Sequence, residues 1–193
     1  MSVVADLGFG LVLGCSLAIP PGPMNALIAS VAARSYRGGV VTGFGAMCAD
    51  LVLGGLVFGL YTVVDLAPFV RWVYALGAGA MLYFGSSILR TPVGDAANTE
   101  ANVRTFVRAL ALGLTNPFQS VWWMTAGLAF AYLGGPVLFA GLFGAIAVWI
   151  VTFPFAVHAG TRKHPGAQRP IAIVSAAIVL GFAGYFAFLA IRG

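Results

Sequence analysis

One isolated acid and two proline-carboxamide clusters hold most of the chemistry this chain offers. Asp50 interrupts an otherwise uncharged run from Gly38 to Val64. If that run crosses a bilayer as a helix, Asp50 lies near its midpoint. A carboxylate at that depth costs about 2.5–3.5 kcal/mol on insertion scales, so such residues face a bundle interior or an aqueous cavity and mark ion or proton paths. No basic residue lies at the centre of any apolar run to pair with it. Asp50 is therefore expected to hold a proton part of the time, which suits a proton carrier. The plainer alternative is a neutral acid that only bonds neighbouring helices.

The first cluster reads Ala18-Ile19-Pro20-Pro21-Gly22-Pro23-Met24-Asn25, and the second Leu114-Thr115-Asn116-Pro117-Phe118-Gln119. A proline within a helix has no N–H for the carbonyl four residues back, and its ring clashes there. Pro20, Pro21 and Pro23 would release the carbonyls of Ser16, Leu17 and Ile19; Pro117 would release that of Gly113. In lipid, released groups need protein, water or a ligand. The first cluster should unwind its helix into two half-helices, the second starting near Met24. Its free N–H groups would suit a carboxylate, and the released carbonyls a cation or an ammonium. The alternative at both places is a packing kink, because proline and glycine are common in membrane helices. The candidate substrate-binding residues are Pro21, Gly22, Pro23, Met24, Asn25, Asn116, Pro117 and Gln119, with Asp50 as the proton-coupling group. No catalytic residue, metal ligand or cofactor is expected.

The elements that must position these residues are transmembrane helices. Hydrophobic residues make up 61% of the chain and charged ones 8%, against roughly 25% charge in soluble domains. A bilayer core takes about 20 apolar residues per helix. Uncharged runs extend from Leu7 to Ala33, Gly38 to Val64, Trp72 to Leu89, Ala109 to Thr161 and Pro170 to Ile191. The fourth is long enough for two helices, divided at Gly134-Gly135-Pro136. The expected fold is an all-α integral membrane protein of six transmembrane helices, with residues 1–193 forming a single transmembrane domain. The stretch from Met1 to Gly10 has no basic n-region, so the first helix reads as retained rather than as a cleaved signal. Pro21 and Pro117 are separated by about half the chain. That spacing suggests two inverted three-helix repeats, about 1–96 and 97–193, with helices 1 and 4 broken at proline and the site between them.

Six spans send Arg34, Arg37, Arg90, Arg104, Arg108, Arg162, Lys163 and Arg169 to one side, and Arg71 and Arg192 to the other. The positive-inside rule puts the first group in the cytoplasm and both termini outside. Charges spread over short loops fit lipid headgroups rather than nucleic acid. Cys15 and Cys48 read as small packing residues, and Trp122 and Trp123 as interface anchors or packing. His158 and His164 read as solvated residues around the end of helix five; two histidines alone do not make a metal site. Ser16, Thr115 and Ser120 are further polar residues near the breaks. Small residues four apart (Gly10 and Gly14, Gly39 and Gly43, Gly55 and Gly59, Ala177 and Gly181) allow close helix approach or a subunit interface.

Pro21-Gly22-Pro23, the turn from Arg34 to Gly39, and then Gly43, Gly45, Asp50 and Gly59-Leu60 resemble the lysine-exporter (LysE/RhtB) superfamily of small amino-acid exporters. Asn116-Pro117 resembles the Asn-Pro signature of that family's second half, with Phe118 where many members carry lysine. The resemblance spans nearly the whole chain. It implies a secondary transporter that exports amino acids or related small metabolites across a prokaryotic inner membrane by proton antiport, and it implies a homodimer. Alternatives are a divalent-metal-ion exporter of the same superfamily, although Asp50 stands nearly alone as a ligand; a thiol-redox membrane enzyme; and a non-transporting accessory membrane protein.

Overall fold

The computed structural model describes residues 3–20, 22–60, 70–90, 101–124 and 135–192. They form eight α-helices: α1 (Val3–Ala18), α2 (Pro23–Ala32), α3 (Tyr36–Leu60), α4 (Val70–Arg90), α5 (Val103–Leu114), α6 (Pro117–Trp122), α7 (Pro136–Lys163) and α8 (Gln168–Arg192), with one 3₁₀ turn at Pro165–Ala167. Three of them, α3, α7 and α8, are long and apolar enough to cross a membrane. The pair α1 and α2 makes a fourth if taken as one span bent by 78°. Outward-facing positions are apolar along these helices, including Leu56, Leu76, Val148, Phe155, Val174 and Phe188. A surface of this kind is matched by lipid and not by water.

The helices pair through small residues. Gly10 and Gly14 of α1 lie against the backbone of Leu138 and Leu142 of α7, so a side chain at either glycine would collide with a carbonyl. The matched ascending numbers mean that α1 and α7 run parallel. Gly45 of α3 faces Phe106 and Ala109 of α5, and Gly113 of α5 faces Ala49 of α3, so α3 and α5 also run parallel. By contrast α4 and α8 are antiparallel: Gly85 meets Leu180, and Tyr74 stacks on Phe186 with ring centroids 5.7 Å apart. One apolar cluster joins α2, α4, α5 and α8 around Met81, Leu112 and Val179; a second joins α1, α3 and α7 around Leu17, Leu53 and Leu142. Gly39 packs on Ala32 and Pro154, and Gly43 on Ile150, so these motifs also serve contacts within the chain. Nothing among the described residues lies within 4 Å of a Cβ placed at Gly55, Gly59 or Gly181.

Several details differ from the sequence reading. The helix that precedes Asn116 begins at Val103, six residues before the uncharged run that starts at Ala109. Asn102 caps it, its side-chain oxygen accepting from the Thr105 N–H at 3.0 Å. Arg104 and Arg108 therefore sit four apart on its exposed face rather than in a loop. The helix extends past the uncharged run because an amphipathic end can carry arginine at headgroup depth. His158 is half-buried rather than solvated, with Nδ1 donating to the Ala32 carbonyl at 3.0 Å. Thr161 Oγ1 donates to the Ala33 carbonyl at 2.9 Å. Together they satisfy carbonyls at the end of α2 that lack helical partners. Cys15 is exposed rather than packed. Pro154 breaks the regular bonding within α7, a feature the sequence reading passed over.

Candidate functional site

The two breaks occur, and each second half-helix starts the same way. At α2, Gly22 is the N-cap, Pro23 the first helical residue and Asn25 the third. At α6, Asn116 is the N-cap, Pro117 the first residue and Gln119 the third. Proline suits the first position because its missing N–H would have had no helical partner there. The caps differ. Asn116 fills its own cap, its Oδ1 accepting from the Phe118 N–H at 3.1 Å. Gly22 has no side chain, and the start of α2 has no side-chain cap bond. The N–H groups of Met24 and Asn25 thus lie at an open helix end, where the helix dipole favours negative charge.

Asp50 lies far from either end of α3 and is 4% exposed. Two donors from the α6 segment reach it, Gln119 Nε2 at 3.0 Å and Trp123 Nε1 at 3.0 Å. Both fall on Oδ1, and neither uses Oδ2. Asn116 Nδ2 in turn donates to Gln119 Oε1 at 3.0 Å. Donation therefore runs in one direction, from Asn116 through Gln119 to the carboxylate. Asn25 is held from the opposite side. Its Nδ2 donates to the carbonyls of Ala18 at 2.6 Å and Pro20 at 2.9 Å, and its Oδ1 accepts from Trp149 Nε1 of α7 at 3.1 Å. Trp149 is stacked on Phe153 with centroids 4.9 Å apart.

These groups meet at one partly open pocket. Gly22, Met24, Asn25, Asp50, Asn116 and Gln119 all line it, together with Pro23, Phe118 and Trp149. Asp50 is the one ionisable side chain among its described lining residues. Pro117 is buried but turns its ring against Gly77 of α4 rather than into the pocket. Pro21 lies outside the described residues. Ser16 and Thr115 turn back to their own helices, bonding the carbonyls of Leu13 and Ala111 at 2.7 Å each. Asn25 takes up the carbonyls of Ala18 and Pro20, which are not among the Ser16, Leu17 and Ile19 carbonyls expected to be released.

Trp149 is not singled out in the sequence, and Trp123 reads there only as an interface anchor or packing. Trp123 is 1% exposed and bonded to Asp50, so it is neither an interface anchor nor simple packing. Its spacing of four from Gln119 puts both on one helix face, a signal that was available. Trp149 gave no such signal, because its partner Asn25 is 124 positions away. No group of three or more histidine, cysteine or acidic residues suited to a metal ion occurs among the described residues.

The family model for the LysE type translocator matches residues 15–189. A protein of Bacillus subtilis (strain 168) named "Putative amino acid efflux protein YcgF" is 27% identical over 201 residues, covering 94% of this chain and 95% of that protein. No solved structure matches the chain. The chain belongs to the LysE type translocator family, and it is a membrane transporter and not an enzyme.

Proposed function

We propose that this transporter exports amino acids or related small metabolites by exchange for protons, with the pocket between Asn25 and Asp50 as the substrate site. The observation that carries the reading is the convergence of an open helix N-terminus and a buried carboxylate on one pocket. A zwitterion has one end for each. The substrate carboxylate docks on the N–H groups of Met24 and Asn25, and its ammonium meets Asp50 and the Asn116 and Gln119 carboxamides. Substrate ammonium and proton compete for Asp50, so the carrier returns only once a proton has replaced the cargo. The name of the Bacillus relative favours amino acids as that cargo.

The reading includes six spans in two inverted repeats, about 1–96 and 97–193, in one transmembrane domain. It is supported by the matched half-helix starts at Gly22 and Asn116 and by a crosswise pattern of bonds. The carboxamide at the third position of α2 binds α7, and the one at the third position of α6 binds α3. The parallel pairs α1 with α7 and α3 with α5 fit the same symmetry, and rocking of one repeat against the other would alternate access. The positive-inside rule supports an inner-membrane orientation with the arginine-bearing end in the cytoplasm and both termini outside. A homodimer is part of the proposal, with the open faces at Gly55, Gly59 and Gly181 available to a second copy.

The test is efflux from exporter-deficient cells preloaded with labelled amino acids, comparing the intact chain with Asp50→Asn. Faster efflux of an amino acid that depends on the proton gradient, and loses that dependence in the variant, is the expected result. Gradient-driven export that persists in Asp50→Asn would sink the coupling role. No amino acid exported by a correctly inserted protein would sink the substrate reading.

A further inference from the structure

We infer that the cleft among α2, α7 and α8 receives the side chain of the exported amino acid, and that it selects cargo with a bulky apolar side chain such as leucine or phenylalanine. The inference rests on the amino-acid export reading above and names the substrate class of that site. The central pocket is small. Its cavity volume is about 50 Å³, where one water needs roughly 10–15 Å³. Space for a few waters fits an ammonium, a Cα and a carboxylate, but not a large side chain as well. The room continues beyond Trp149. A cleft with a cavity volume of about 390 Å³ lies there, lined by Ala26 and Ala29 of α2, Phe153 of α7, and Ile171, Ser175 and Ile178 of α8. Gly22, Asn25 and Trp149 line both spaces, so the two adjoin at the open start of α2.

The walls of the cleft are apolar. No charged side chain occurs among its described lining residues. The polar atoms of Asn25 are spent on the Ala18 and Pro20 carbonyls and on the Trp149 N–H. Trp149 therefore offers ring surface, backed by its stack on Phe153. An apolar side chain gains about 25 cal/mol per Å² by leaving water for such a wall. A lysine side chain would bring its ammonium into a space with no counter-charge, which is costly.

Gly22 is the passage between the two spaces. Its backbone is extended, with φ −158° and ψ −179°, a conformation open to any residue. Packing does not demand glycine either. Apart from its chain neighbours, the described heavy atom nearest a Cβ built there is the Pro20 carbonyl oxygen, at 4.0 Å. Serine or asparagine would cap α2 at least as well. What glycine leaves is free space beside the N–H groups that take the substrate carboxylate. An amino acid held there, with its ammonium toward Asp50, has one remaining large substituent, and the cleft lies beside it. The outer side of the cleft is open, where Ile19 and Val174 are exposed. A lipid acyl chain would offer the same apolar chemistry, so the test separates the two.

The purified full chain is reconstituted in lipid vesicles, and half-saturating concentrations are measured for alanine, leucine, phenylalanine and lysine. In the intact chain, leucine and phenylalanine are expected to half-saturate about tenfold below alanine, and lysine no lower than alanine. Ala29→Leu and Ser175→Leu fill the cleft from different helices, away from the central pocket. Each is expected to remove the tenfold advantage of leucine over alanine, and the smaller Ala29→Val to remove part of it. Gly22→Ala, which narrows the passage, should shrink the advantage in the same direction. Alanine export by the same vesicles identifies the variants that have folded. An intact chain that prefers alanine or lysine overturns the inference. So does an advantage for leucine that survives in any cleft-filling variant still exporting alanine, because the cleft then holds lipid and not cargo. An intact chain that exports no amino acid sinks the export reading and this inference together, whereas export indifferent to side-chain size sinks this inference alone.

Discussion

Trp123 and Asp50 are 73 positions apart, and the indole N–H meets the carboxylate at 3.0 Å on the oxygen that also receives Gln119. Donors to a buried carboxylate are worth about 1.5–3 kcal/mol each. Trp123→Phe keeps most of the ring and removes the donor. It is expected to lower stability by about that amount, read as a shift in unfolding in detergent. A loss below about 0.5 kcal/mol would mean that the indole only fills space.

Asn25 serves three partners, and its near-isostere Leu serves none. Asn25→Leu strands the Ala18 and Pro20 carbonyls and the Trp149 N–H, with an expected loss of about 2–4 kcal/mol. Trp149→Phe strands only the Asn25 oxygen and can keep the stack on Phe153, so about 1 kcal/mol is expected. Equal losses in the two variants would argue against Asn25 as the hub of the first break.

Gly10 and Gly181 make a matched pair for a packing test. A methyl at Gly10 meets the Leu138 carbonyl, while one at Gly181 meets nothing among the described residues. Gly10→Ala should cost about 1–3 kcal/mol or block assembly. Gly181→Ala should be neutral within about 0.5 kcal/mol for the folded chain. Thermal stability and expression level in the membrane read both.

Replacing Pro21 and Pro23 together by Ala gives two backbone N–H groups to the segment between α1 and α2. Continuous helical bonding there would close the open end at Met24 and Asn25. Insertion should persist and export should be abolished. Full export by the double variant would refute a substrate site built on the broken helix.

The parts legible in the sequence were those written in local chemistry. Asp50 announced itself because a charge inside an apolar run is costly, and Gly22-Pro23 and Asn116-Pro117 because proline's effect on a helix depends only on its neighbours. Proline at Pro136 likewise marked where α7 begins. An uncharged run does not mark where α5 begins, because Arg104 and Arg108 lie on the exposed face of a helix already formed. Trp123, Trp149 and His158 stayed hidden for another reason. Each bonds a partner far along the chain, and neither hydropathy nor spacing records which faces of two distant helices will meet. Most residues that line the pocket were thus readable, but the bonds that fix its shape were not.

The one-way chain from Asn116 through Gln119 to Asp50, closed by the Trp123 indole, has an electrical consequence. Carboxamide and indole N–H groups hold their protons at any pH a cell meets. They can orient the carboxylate, but they cannot hand a proton along. On its α6 side Asp50 is therefore insulated, while another side of it lines the pocket; if cargo occupies that chamber, a proton reaches Asp50 by the same way. If Asp50 is the coupling group, an occupied chamber is also a plugged wire, and the resting transporter would not short-circuit the gradient that drives it.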